Sequence, residues 1–229
     1  MSTTITWLGH NAWSIETGTS TILLDPFLND SPTAPVKADA VKADYILLSH
    51  GHGDHLGDTI AIAQRTGAIV LTNFEVGNWL KQNGVAAEKI IGLNPGGGSE
   101  QPFGNVKFTI AHHSSSMPDG SYGGVPGGFI LKLPDARIYF ACDTGIFLDM
   151  RLIGSGGLDL AVLPIGDMYT MGPEDSIEAV KLLKPKRVAP CHYNTWPPIA
   201  QDAAAWAKQV RLHTAAEPIV LEPGEQIGL

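Results

Sequence analysis

The sequence predicts an α/β fold in which two sheets pack face to face with helices on their outer sides. Two observations carry this. Each half of the chain opens on short runs of β-branched and aromatic residues separated by turns, then changes to apolar strands alternating with stretches of helical spacing. No motif recurs at a period of about 20 to 50 residues, which sets a solenoid aside. A chain of 229 residues is also long enough for a large core, and one domain spanning 1–229 is expected.

In the first half, Thr4 to Leu8, Ala12 to Glu16 and Thr21 to Asp25 read as an antiparallel meander, with turns at Gly9-His10-Asn11 and Thr17-Gly18-Thr19. A Pro-rich polar loop from Asn29 to Lys42 follows, and then the apolar strand Tyr45 to Leu48. From Leu56 the spacing of Ile60, Ile62 and Ala63 predicts a helix up to Thr66-Gly67. Ala68 to Leu71 is a strand, and Phe74 to Gln82 a helix closed by Asn83-Gly84. In the second half, Val106 to Ile110, Gly128 to Leu133 and Arg137 to Ala141 are strands, the last two joined at Pro134-Asp135-Ala136. Leu158 to Leu163 and Arg187 to Pro190 are buried strands, and Pro173 to Leu183 and Ile199 to Val210 are helices. A last strand pair is expected near Ile219 to Leu221 and at Ile227.

Composition limits the partners. A formal net charge of −8 gives no basic footprint for a polynucleotide backbone, so nucleic acid is not expected and a small-molecule substrate is. There is no signal-like start and no apolar run near the roughly 18 residues needed to span a bilayer, so the expected location is cytoplasmic. A homo-oligomer is compatible with the sequence.

Chemistry concentrates in His50-Gly51-His52-Gly53-Asp54-His55, directly after the strand Tyr45 to Leu48. Neutral imidazoles and carboxylate oxygens are ligands for zinc, manganese or iron, and the small spacers Gly51 and Gly53 let the backbone fold tightly enough for them to converge. Three further residues of ligand type also follow apolar strands: His113, Asp143 and His192. Strand ends are where pockets form in layered sheets, so four strands can bring their tips together there.

These residues resemble the metallo-β-lactamase superfamily, and within it a branch of bacterial and archaeal metal-dependent hydrolases related to the L-ascorbate-6-phosphate lactonases and the N-acylphosphatidylethanolamine phospholipases D. The resemblance extends over nearly the whole chain. It rests on Gly9-His10, Leu24-Asp25-Pro26-Phe27, Leu47 to His55, Ala111 to Ser115, Asp143-Thr144, Leu163 to Asp167, Met171 to Asp175 and His192 to Thr195. It implies an αββα four-layer sandwich and two divalent metal ions, zinc first, with manganese, iron or nickel as alternatives. It places His50, His52 and His113 on one metal, Asp54, His55 and His192 on the other, and Asp143 between them. A bridging hydroxide would then attack an ester, lactone or phosphodiester bond of a small molecule, with Asp54 or Asp143 orienting it and handling its proton. His52 stands where diiron oxygen-reducing relatives have glutamate, which favours hydrolysis over an iron-dependent redox or sulfur-oxidising enzyme. A non-catalytic metabolite-binding protein is the third reading.

Around this set the roles are less determined. Adjacent residues at a strand end point to opposite sides, so only one of His112 and His113 reaches the metals, and the family pattern selects His113. His10 is either a turn histidine or an imidazole beside the metals that binds substrate. Asp25, Thr144, Asp167 and Thr195 are candidates to accept the second N–H of a metal-bound imidazole. Cys142 and Cys191 precede Asp143 and His192, and strand alternation aims both thiols into the core. Neither Asn94 to Ser99 nor Gly123 to Gly128 leads into a Lys-Ser or Lys-Thr helix start, so both are expected to be turns or mobile loops rather than phosphate cradles. Ser114 to Tyr122 is expected to border the substrate, and His213 to lie on the surface.

Overall fold

The computed structural model describes residues 2–229. In chain order the elements are β1 (Thr4–Trp7), β2 (Trp13–Glu16), β3 (Thr21–Leu24), β4 (Tyr45–Leu47), α1 (Gly53–Leu56), α2 (Thr59–Thr66), β5 (Ile69–Asn73), α3 (Phe74–Gln82) and β6 (Ile90–Leu93). There follow β7 (Gly98–Gln101), β8 (Gly104–Ile110), β9 (Gly127–Lys132), β10 (Arg137–Phe140), α4 (Met150–Gly154), β11 (Leu160–Pro164), α5 (Pro173–Leu183), β12 (Arg187–Cys191), α6 (Ala203–His213), β13 (Glu217–Pro218) and β14 (Gln226–Gly228). One seven-stranded sheet has the order β14-β1-β2-β3-β4-β5-β6 and the other β13-β12-β11-β10-β9-β8-β7.

The two sheets share a plan. In the first, β1, β2 and β3 pair antiparallel and β3 to β6 run parallel. In the second, β7 to β10 pair antiparallel and β10 to β13 run parallel. Parallel neighbours need a crossover, and helices α2, α3, α5 and α6 lie in those crossovers or beside them. Side-chain alternation sorts the layers: Ile22, Leu24, Tyr45, Leu47 and Leu71 join Phe108, Phe129 and Ile138 in the core between the sheets. Their neighbours Leu23, Ile46 and Val70 face the other way, onto Ile62 and Ala63 of α2 and Val76 and Leu80 of α3. A one-residue slip in β4 would exchange these faces, so the register is strongly held.

One consequence positions the chemistry. Because β1 and β3 run parallel to each other, as do β8 and β10, the C-terminal ends of β1, β3 and β4 lie at one edge of the first sheet, and those of β8, β10 and β12 at one edge of the second. The two edges meet, with Gly127 N–H donating to the Ser49 carbonyl (3.2 Å) and His192 N–H to the His10 carbonyl (3.0 Å).

Four features differ from the expectation. The strand Ile90–Leu93 falls where no element is expected and Gly98–Gln101 overlaps the expected glycine-rich turn, because edge pairing with β5 and β8 recruits segments with little pattern of their own. Met150–Gly154 adds a short helix. The expected terminal pair does not form: Glu217–Pro218 pairs with β12 and Gln226–Gly228 with β1, so the chain crosses from one sheet to the other, and 219–221 lies outside any strand. The helix expected from Leu56 begins instead at Thr59, and a separate helical turn, Gly53–Leu56, precedes it; the two part at Gly57, whose φ of 41° lies in the left-handed region and whose Cβ would sit 2.6 Å from the Pro26 carbonyl oxygen. Among the described residues no helix is long and apolar enough to cross a membrane.

Candidate metal centre

The strand β4 delivers Ser49 and His50 to the rim, and α1 turns the chain so that Asp54 and His55 follow on a single helical turn. The two glycine spacers act differently. A Cβ on Gly51 would collide with the Met117 side chain and come within 3.0 Å of the Ser116 carbonyl oxygen, whereas one on Gly53 would meet nothing within 4 Å. Close approach of the 111–126 loop therefore demands the first glycine only. That loop is tied on by Ser115, whose Oγ accepts from Gly51 N–H (3.1 Å) and donates to the Gly123 carbonyl (2.7 Å).

His113, Asp143 and His192 arrive just beyond the ends of β8, β10 and β12, and three sets of side chains offer atoms close enough to share a cation: His50, His52 and His113; His10, Asp54, His55 and His192; and His50, His55 and Asp143. Asp143 lies between the first two. Its Oδ1 is 3.2 Å from His55 Nε2, and its Oδ2 is 3.1 Å from His192 Nε2 and 3.4 Å from His113 Nε2. His112 points elsewhere: it is exposed, with its ring stacked on Phe147 at a centroid distance of 4.9 Å.

The chain bends sharply to bring these groups in. His10, Asp25, Cys142 and His192 all have left-handed backbones, with φ of 49°, 41°, 54° and 53°. Each costs a non-glycine residue roughly 1–2 kcal/mol. Packing and hydrogen bonds at the two sheet edges hold them there.

Asp25 organises the first half of the centre. It is fully buried, and its Oδ2 accepts from Asn11 Nδ2 (2.8 Å), Ser49 Oγ (2.6 Å) and His55 Nδ1 (2.7 Å), while Oδ1 accepts from Ser49 N–H (2.7 Å). A carboxylate there holds a proton on His55 Nδ1 and turns Nε2 toward Asp143, the atom a metal would take. Since the Ser49 hydroxyl is spent on Asp25, His50 Nδ1–H donates to Ser49 Oγ (2.9 Å), which turns Nε2 of His50 toward the cluster. His10, also fully buried, has Nε2 at 3.2 Å from Asp54 Oδ2 and Nδ1 at 2.7 Å from Thr195 Oγ1. A carboxylate only accepts, so His10 donates from Nε2 and the Thr195 hydroxyl donates to Nδ1.

Electrostatics keep most of these imidazoles neutral. Burial, reinforced by the neighbouring His192, lowers His10 to about 4. Burial with its imidazole neighbours holds His50 well below the usual histidine range, and burial lowers His52 and His113. His55 is the exception: burial works to lower it, but the carboxylates of Asp143 and Asp25 overcome this and raise it well above the usual value. Burial would raise Asp143 and Asp54. The imidazoles of His192 and His55 hold Asp143 well below its usual range, and the hydrogen bond from His10 with the charge of His55 does the same for Asp54.

Four atoms at the centre are buried without a hydrogen-bond partner: His55 Nε2, Asp143 Oδ1 and both ring nitrogens of His192. Leaving such groups unsatisfied costs about 1–3 kcal/mol each. A donor set of imidazole nitrogens and carboxylate oxygens, mutually close and oriented from behind, fits a divalent cation of the zinc class.

Of the remaining candidates, Thr195 touches His10 and Asp25 touches His55. Thr144 instead orders the loops, with Oγ1 accepting from His112 N–H (2.9 Å) and its carbonyl from Met171 N–H (2.9 Å). Asp167 is exposed, packs beside Gly172 and contacts none of the imidazoles. Cys142 and Cys191 are buried free thiols whose ionisation burial pushes far up. His213 is exposed at the end of α6, beside Gln209. Ser49, Asn11 and Ser115 carry the supporting hydrogen bonds and escape the sequence reading. Ser49 had a signal in its position directly before His50, whereas Asn11 and Ser115 act on residues distant in the chain.

Comparison with known proteins gives the family. A family model described as the beta-lactamase superfamily domain matches residues 20–193. The chain is 46% identical over 225 residues to a UPF0173 metal-dependent hydrolase of Thermus thermophilus, covering 98% of each. It is 46% identical over 230 residues to a UPF0173 metal-dependent hydrolase of Pelotomaculum thermopropionicum, covering 98% of this chain and 99% of the relative. Among solved structures, Igni18, a metallo hydrolase of the archaeon Ignicoccus hospitalis, superposes with a TM-score of 0.90 at 35% identity, covering 100% of this chain and 99% of that one.

Proposed function

The chain belongs to the beta-lactamase superfamily and, within it, to the UPF0173 metal-dependent hydrolases, and from that premise we propose a dinuclear centre that hydrolyses an ester, lactone or phosphodiester bond of a small molecule. His50, His52 and His113 hold one divalent cation, Asp54, His55 and His192 the other, and Asp143 serves both, with zinc the first choice of metal. The observation that carries the reading is Asp143: one buried carboxylate has its two oxygens 3.1–3.4 Å from imidazole nitrogens of both sets. Bound there, the cations supply a water acidified to about neutral pH and an electrophile for the substrate oxygen.

The protein's own groups do the rest. Asp25 and Ser49 hold His55 and His50 from behind, so both rings are aimed before any ligand arrives. Asp54 is the open side of the centre, its side chain 29% exposed against 3% for Asp143. With His10 donating to Oδ2, it is the carboxylate placed to take a proton from water and return it to the departing oxygen. The balance is that of hydrolysis: the water oxygen bonds to the acyl carbon or phosphorus, the bond to the leaving oxygen breaks, and that oxygen departs with the proton.

Metal analysis of protein purified without chelator, together with calorimetric titration of stripped protein with zinc, tests this. Two equivalents per chain and hydrolysis of model esters or phosphodiesters are expected. A single equivalent, or full activity in Asp143→Ala, overturns the dinuclear reading.

A further inference from the structure

The loops that surround the centre carry no lysine or arginine. Segments 8–12, 48–58, 111–126, 141–149, 165–172 and 192–202 include neither lysine nor arginine, while Asp54, Asp58, Asp119, Asp143, Asp149, Asp167 and Asp202 all lie on them. In the one remaining long loop leading from this edge, Lys37 Nζ is committed to the Asn29 carbonyl (2.9 Å), and Lys42 lies just before β4, at the opposite end of that strand. Recognition of a phosphate or carboxylate group outside the scissile bond calls for arginine, lysine or a helix N-terminus aimed at it. Here such a group would meet carboxylates instead, and α5, the helix that opens directly after segment 165–172, carries Glu174 and Asp175 in its first turn.

What the surroundings offer is aromatic and apolar surface. Trp196, half-buried, stands edge-on to His10 at a centroid distance of 5.0 Å and 6.0 Å from Phe27, which is itself 8% exposed. Two of the other loops that follow strands at this sheet edge carry large apolar side chains left open to solvent, Leu148 at 81%, Met168 at 67% and Tyr169 at 55%. Surface of this kind beside a polar reactive centre is the usual composition of a small-molecule pocket.

We infer that the substrate is an uncharged carboxylic ester or lactone whose apolar or aromatic part lies against Trp196. Trp196 sets specificity and takes no part in bond breaking. The inference rests on the hydrolytic reading above and narrows it to a neutral scissile group, and it sets aside phosphorylated lactones and other substrates with an anionic group outside that bond.

The test has a kinetic arm and a binding arm. Zinc-loaded protein is assayed with para-nitrophenyl acetate, para-nitrophenyl phenylacetate and bis(para-nitrophenyl) phosphate. The phenylacetate ester is expected to give the highest kcat/KM, and Trp196→Ala to raise its KM about tenfold with kcat and the acetate ester little changed, Trp196→Phe restoring most of the loss. Faster turnover of the phosphodiester, or an equal effect of Trp196→Ala on both esters, overturns the inference while leaving a hydrolase. In the binding arm, metal-free protein is titrated calorimetrically with phenylacetamide and with phenyl phosphate. Binding of the amide that Trp196→Ala abolishes supports the assignment even if none of the three chromogenic substrates is cleaved, in which case the hydrolytic reading fails instead. Tighter binding of phenyl phosphate overturns it.

Discussion

The two halves of the centre are built differently. The half from the first sheet comes from six consecutive residues on a strand end and one helical turn, and its imidazoles are braced: His55 by Asp25, His50 by Ser49. The half from the second sheet comes from three separate strand ends, and His192 has no hydrogen-bond partner on either ring nitrogen. Brackets of hydrogen bonds fix a ligand before metal binds, while an unbraced ligand gains its fixed position from the metal itself. The comparison suggests a centre in which the first half is preformed and the second half is completed by the cation.

The strongest way to break this contrast is Asp25→Ala. It strips His55, Ser49 and Asn11 of a common acceptor at a fully buried position, and unfolding measurements should show a loss of about 3–5 kcal/mol along with weaker metal binding. A loss below about 1 kcal/mol would mean that the first half is not held by this carboxylate. Next is removal of metal: if the cations complete the second half, chelated protein should melt earlier by the equivalent of about 4 kcal/mol when the free metal had stood at about 1,000 times Kd. Hydrogen exchange should then report loosening around 142–144 and 191–195 more than around 48–56. Equal loosening of both would erase the difference between the halves.

Proton release sharpens the same point. In metal-free protein Asp143 and Asp25 raise His55, so it carries two ring protons near neutral pH, and a cation must displace the one on Nε2. Affinity should therefore fall as pH is lowered from about 8 to 6, with proton uptake or release visible in calorimetry across buffers of different ionisation enthalpy. An affinity flat over that range contradicts a ligand role for His55. Gly57→Ala should cost more than about 1 kcal/mol, through its positive φ and the approach of Pro26, and should lower activity by displacing α1. The smallest effect is expected from Thr195→Val, which removes the hydroxyl donating to His10 Nδ1; a few-fold drop in kcat with unchanged metal content would identify Thr195 and His10 as positioning residues acting on Asp54.

Much of this was legible beforehand, and the legible part shares a cause. The strand before His50, the meander of β1 to β3 and the helix Pro173–Leu183 are local patterns, and local patterns are carried by neighbouring residues. Gly98–Gln101 and Glu217–Pro218 were not legible, because an edge strand needs only a partner's free backbone groups and leaves little trace in side chains. The same distinction separates His113 from His112. Alternation at a strand end allows one of them to face the centre, but only the packed sheets show that His112 turns onto Phe147 while His113 comes to 3.4 Å from Asp143.

By itself, then, the amino-acid order determined the two-sheet architecture and the ligand-rich turn after β4, since both follow from periodicity and from residues adjacent in the chain. Tertiary structure alone decided that the left-handed bends at His10, Asp25, Cys142 and His192 carry groups from both sheets to one point, that Asp25 braces His55, and that Trp196 stands beside His10. Those relations join residues up to 186 positions apart, set by where two sheet edges meet, and no local pattern encodes a meeting of that kind.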